Sequence, residues 1–156
     1  MMRAEEPAVA YGTNSYADVM MLLYSMPITN EVKRHVGQRL VEEATGSHLS
    51  EAFDRIAHLS QLKKDWDGHG ALPISRIVLN NVRSVLLISN DEDWQNWMIS
   101  PDVNATICLY SPRTKASISL GAKDYSYFAR VNGERFGESH VTYSPMDILQ
   151  LMRKFG

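Results

Sequence analysis

The sequence predicts an α+β fold in which about four helices precede a three- to four-stranded antiparallel meander and a C-terminal helix. Three observations carry this. Apolar residues recur at steps of three and four up to about Asn90, alternate with polar ones from Asn104, and return to the helical step after Pro145. A helix buries a stripe and a half-covered strand buries every second residue, so each change of period marks a change of element.

The segment Ser15-Tyr16-Ala17-Asp18 fits a capping box and predicts a first helix through Val19, Met20, Leu22 and Leu23 to about Ser25, stopped near Pro27. It is apolar on most sides, which requires burial in the core or against a partner. Its flexible thioethers suit adaptable packing, so Met20, Met21, Leu23 and Tyr24 are candidate interface residues. A second helix begins near Asn30 with Val32, Val36, Leu40 and Val41 on one face, and Gly46 is its stop. A third begins near Ser47 and places Leu49, Phe53, Ile56 and Leu59 opposite Glu51, Asp54, Arg55 and His58. After a break at Lys63 to Pro73, a fourth carries Ile74, Ile77, Val78, Val82, Val85 and Leu86 and frays near Asn90. Asp91 to Ser100, with Trp94 and Trp97, reads as a further helical turn or an ordered loop.

In the second half, Ala105, Ile107 and Leu109 alternate with Thr106, Cys108 and Tyr110, and Ala116, Ile118 and Leu120 follow across a turn at Ser111 to Thr114. Tyr125, Tyr127, Ala129 and Val131 make a third strand. Asn132-Gly133, where both residues tolerate positive φ, predicts a tight hairpin into a fourth strand within Glu134 to Tyr143, bent at Gly137. Ser144-Pro145-Met146-Asp147 opens the last helix, whose buried stripe is Ile148, Leu151, Met152 and Phe155. The helices are expected to cover the face that carries Ala105, Ile107 and Ile118.

A chain of 156 residues without repeats or a long linker predicts one domain over 1–156, with 1–13 as a flexible arm. The net charge of -2 and scattered basic residues make nucleic acid a poor partner. Alternation also sends Tyr125 and Tyr127 to one side of the sheet and Phe128 with Arg130 to the other, which breaks up a base-stacking platform. The single Cys108 excludes an internal disulfide and reads as packing rather than as a nucleophile. No secretory leader and no membrane span are expected, so the cytoplasm is the expected compartment. Without a G-x-S-x-G elbow, phosphate loop, zincin pair or dinucleotide fingerprint, no catalytic residue, cofactor or metal is assigned.

One loop stands out. Lys64 to Pro73 concentrates Asp65, Trp66, Asp67, His69 and Gly70 between two patterned helices. As a calcium loop it lacks the bidentate Glu, because the twelfth position is Arg76. As a hydrolytic or metal centre, Asp65, Asp67 and His69 have no second acidic or His cluster to complete them; His35, His48, His58 and His140 stand singly in the sequence. As a brace, Trp66 continues the Leu59 stripe and plugs the end of the core, Asp65 or Asp67 accepts backbone amides, the glycines take positive φ, and Pro73 launches the next helix.

The arrangement Trp66-Asp67-Gly68-x-Gly70-Ala71-x-Pro73 between two helices, followed by antiparallel strands with a Gly-containing hairpin, resembles a group of small uncharacterised bacterial proteins often found on mobile elements. The likeness spans roughly Phe53 to Leu151, and the first strand carries Asn104 and Tyr110 where members often have Gly and Trp. It implies no activity or cofactor and favours an accessory or inhibitory role, such as an antitoxin, immunity or anti-defence protein. The functional expectation is thus a non-enzymatic protein-interaction module that self-associates as a homo-oligomer. The alternatives are a hydrolase or metal-dependent enzyme centred on Asp65 to His69, and a nucleic-acid module using the sheet face.

Overall fold

The computed structural model describes Ser25, Pro27, residues 29–35 and residues 47–156. From Ser47 onward the order is α1 (Ser47–Leu59), α2 (Arg76–Ile88), a 3-10 helix (Asp91–Trp94), β1 (Met98–Pro101), β2 (Ile107–Ser111), β3 (Ala116–Leu120), β4 (Asp124–Val131), β5 (Glu134–Thr142) and α3 (Pro145–Phe155). The strands form one antiparallel sheet in sequence order, β1 to β5. The α+β class and the closing helix match the sequence reading, whereas among the described residues the sheet has five strands rather than three or four. The expected arm at 1–13 and the candidate contact residues Met20, Met21, Leu23 and Tyr24 lie outside the described residues. Residues 30–35 are helical, with Thr29 accepting the Val32 amide at its Oγ1, and Val32, expected on the buried face, is exposed.

In α1 the predicted stripe is buried: Leu49, Phe53, Ile56 and Leu59 are joined by Ala52 and Ala57, with Glu51, Asp54, Arg55 and His58 outward. Its first turn is tied across the fold, where the Leu49 amide donates to Asp91 Oδ1 at 2.8 Å. Helix α2 buries Val78, Leu79, Val82, Val85, Leu86 and Leu87. Ile77 is not on that stripe. At 100° per residue it lies roughly 140° from Val82, and it is exposed.

The sheet presents Ile99, Ile107, Leu109, Ala116, Ile118, Leu120, Tyr125 and Ala129 to the helices. Strand β1 pairs Ile99 with Leu109, within the segment expected to be a turn or loop; the 3-10 helix supplies the turn and β1 follows it. Ala105 is not a strand residue, since it takes φ 74 in the β1–β2 loop. The irregularity in β5 falls at Ser139 and His140 rather than at Gly137: Tyr125 pairs with Val141 but Tyr127 with Glu138, and His140 has φ 58. Gly137 serves a different need, because a Cβ there would lie 2.9 Å from the Tyr127 carbonyl oxygen.

Helix α3 starts as predicted, with Ser144 Oγ accepting the Asp147 amide. Arg153 grips Asp93 with both Nε (2.8 Å) and Nη2 (3.1 Å), fastening the helix to the 3-10 turn. Thr114 Oγ1 and Arg113 Nη2 donate to the carbonyls of Phe155 and Gly156, filling acceptors that a helix end leaves open.

Tyr143 joins the sheet to α2 through its hydroxyl, which donates to the Asn81 carbonyl at 2.7 Å. Burial pushes its pKa up to about 12. A raised value means the neutral phenol is the form the fold favours, so this contribution is complete below the unfolded value near ~10 and is lost as pH rises through about 12. We expect Tyr143→Phe to cost about 1 kcal/mol at neutral pH. Its stability gap to the wild type should close across that alkaline window, as followed by urea unfolding; a gap that persists above it would count against the assignment.

Candidate interaction site

The loop between α1 and α2 is built by tightening and reversing the chain. After Leu59 the amides of Ser60, Gln61 and Leu62 donate back to Ile56, His58 and Leu59, and the helix ends. Asp65 then takes φ 68, its amide donates to the Ala71 carbonyl (2.7 Å), and its own carbonyl accepts the Gly68 amide (3.0 Å). Gly68 and Gly70 follow at φ 78 and 90, as the brace reading requires.

Both carboxylates are engaged by this backbone. Asp65 Oδ1 accepts the Gly70 amide at 2.6 Å, and Asp67 Oδ1 accepts those of His69 (2.8 Å) and Ala71 (3.0 Å). The amides at His69 and Ala71 hold the Asp67 carboxyl below its ordinary value. His69 is exposed at the tip. Among the described residues no three His, Cys, Asp or Glu side chains are grouped to hold a metal ion. Arg76, at the calcium loop's twelfth position, lies in α2 and is exposed.

Trp66 corrects the expectation of a core plug. Its indole is half-buried, and Nε1 donates to the Leu72 carbonyl at 2.8 Å, so the ring clamps the two arms of the loop together. Within the loop Ala71 is buried, and the segment reaches the core cluster through Ile74. Pro73 does not launch α2, because residues 73–75 lie outside the helix and their segment zips onto the β1–β2 loop: the Leu72 amide donates to the Val103 carbonyl, the Ser75 amide to that of Ala105, and Leu72 bridges Asn104 in parallel. Helix α2 begins at Arg76, behind Ser75.

Two loops are therefore welded side by side, and each carries an exposed apolar side chain. Leu72 is 47% exposed and Val103 53%, with Pro73 exposed between them in the chain and Ile77 open in the first turn of α2. Val103 and Asn104 were not legible as parts of this site. Their only local signal is a turn composition, Asp102-Val103-Asn104, that says nothing of what it docks against.

Other groupings have plain structural roles. His140 does not stand alone: its Nδ1 lies 3.2 Å from Asp124 Oδ2, and its backbone amide donates to Ser126 Oγ at 3.2 Å. Although Ser, His and Asp meet here, the serine touches the histidine backbone, so the set clasps the bulge. Burial, reinforced by Asp102, pushes the Cys108 thiol up, which suits packing rather than nucleophilic attack. A cleft of about 260 Å³ between α1 and β1 is rimmed by His48, Glu51 and Arg55 over Trp94 and Trp97. Both indole N–H groups turn away from it, to Ser89 Oγ and the Met152 carbonyl. Among the described residues no helix is long and apolar enough to cross a membrane. Compared with known proteins, the chain matches no family model, no curated protein and no solved structure.

The Asp67 shift has a testable sign. A depressed carboxylate contributes stability above its unfolded value near ~3.9, and that contribution is lost as pH falls through the lower folded value. Asp67→Asn should therefore melt below the wild type at neutral pH, with the two melting temperatures converging in acid. Parallel melting curves down to the acid transition would contradict this.

Proposed function

We propose that this chain is a non-enzymatic protein-interaction module whose contact surface is the welded pair of loops at Asp65–Pro73 and Asp102–Ala105. One observation carries the reading: Leu72 and Val103 expose apolar side chains on backbone pinned by its own hydrogen bonds. An apolar group gains free energy when a partner covers it, and one held on pinned backbone binds without paying much ordering entropy. The aspartates, the glycines and the indole of this loop all serve its shape. The single, half-buried Cys108 suits a reducing, cytoplasmic setting. The likeness of the Trp66–Pro73 motif to small mobile-element proteins supports an accessory or inhibitory task, of the antitoxin, immunity or anti-defence kind.

The test uses the full chain as an immobilised bait in a bacterial lysate, beside Leu72→Asp/Val103→Asp. Both positions are exposed, so the double variant should keep the wild-type melting temperature. A partner retained by the wild type and weakened at least ~tenfold by the variant supports the reading, since burying two unpaired carboxylates costs more than the ~1.4 kcal/mol that separates tenfold steps. Equal retention by both, or none by either, rejects it.

A further inference from the structure

The two edges of the sheet differ. At β1 the Ile99 carbonyl points away from β2 and already accepts Arg55 Nε at 2.9 Å, and Pro101 has no N–H, so this short edge is sealed. The opposite edge, β5, runs from Glu134 to Thr142 and is largely exposed. Its hydrogen-bonding pattern follows from the hairpin. Asn132 and Gly133 have φ 52 and 80, the signature of a two-residue turn that closes on a hydrogen-bonded pair, here Val131 and Glu134. Pairs then alternate, so Glu134, Phe136 and Glu138 bond back to β4, while Arg135, Gly137 and Ser139 direct N–H and C=O outward. The His140 amide turns back to Ser126, and the bulge ends the flat edge there.

We infer that this edge pairs with the same edge of a second copy, antiparallel about a two-fold axis at Gly137, to make one continuous sheet. Residues opposite each other must lie on the same face, so the axis passes through a residue rather than between two. Charge selects which one. An axis at Arg135 or Glu138 sets a like charge against itself, and one at Phe136 sets Glu134 against Glu138 of the second copy. At Gly137 the outward groups of Arg135 meet those of Ser139 of the second copy. Glu138 of the second copy then lies across from Phe136, over whose ring Lys154 Nζ sits at 5.6 Å. Carboxylate and ammonium thus meet on both sides of the axis.

This inference rests on the reading of the chain as an interaction module but uses a different surface, so either can fail alone. An edge this short gives weak association, so sedimentation equilibrium of the full chain should span roughly micromolar to near-millimolar concentrations. A dimer is expected in which the Arg135, Gly137 and Ser139 amides gain protection from hydrogen exchange as concentration rises. Glu138→Lys and Lys154→Glu, made separately, should each weaken self-association about tenfold or more while the melting temperature holds. Mixed together, the two variants should form a heterodimer in preference to either homodimer, because every facing pair is then complementary. A contact within one chain cannot produce that preference. A chain monomeric throughout the range, a dimer whose three amides exchange freely, or variants that show no preference on mixing would each overturn the proposal.

Discussion

Trp97→Ala is expected to destabilise the fold by about 3–5 kcal/mol, a large share of the ~5–15 kcal/mol that holds a domain of this size together. Trp97 is 7% exposed, and its Nε1 donates to the Met152 carbonyl at 3.1 Å; Gly156 lies hard against the ring. Volume, not the hydrogen bond, sets the size of the effect. The Met152 carbonyl also accepts the Gly156 amide at 2.9 Å, so it keeps a partner when the indole goes. Trp97→Phe, which retains most of the ring, is accordingly expected to cost only about 1 kcal/mol. Urea unfolding of both variants checks the ordering, and comparable losses would show that the hydrogen bond matters more than the packing.

Trp97 also shows where sequence reading stops. Nothing near it in the chain says that its ring meets the last helix, 55 residues on. Strand β1 was hidden for a similar reason: Met98-Ile99-Ser100-Pro101 has one buried residue and a proline, and is a strand because β2 lies beside it. The helix stripes and the alternating strands from Ile107 were legible because each repeats a period that only one element type can bury.

In the loop, positive φ at the glycines and an aspartate accepting backbone amides followed from turn chemistry, which is local; that Asp65 and Asp67 both do so came from the structure. The burial of Trp66 did not follow from turn chemistry. Counting one heptad on from Leu59 assumes that the helix continues, yet it ends by Leu62 and Asp65 reverses the chain. The indole therefore meets Leu72 rather than the core. Exposed Leu72 and Val103 could not be paired from sequence, since 31 residues separate them and the bridge between their loops is a single parallel step.

Phe53→Ala should match Trp97→Ala in size, at about 3–5 kcal/mol, and it separates fold from site. Phe53 is 2% exposed at the middle of the α1 stripe, and α1 leads directly into the loop that carries Asp65 and Trp66. Removing the ring leaves a cavity that Leu49 and Ile56, fixed on the same helix, can only partly fill. The variant should therefore lose stability and partner retention together. His58→Ala, on the exposed face of the same helix, should stay within about 0.5 kcal/mol of the wild type. Leu72→Asp/Val103→Asp should do the reverse of Phe53→Ala, keeping the melting temperature and losing the partner. If the ring could be removed without thermal cost, α1 would not be anchored by this stripe, and the rigidity claimed for the loop it feeds would lose its support.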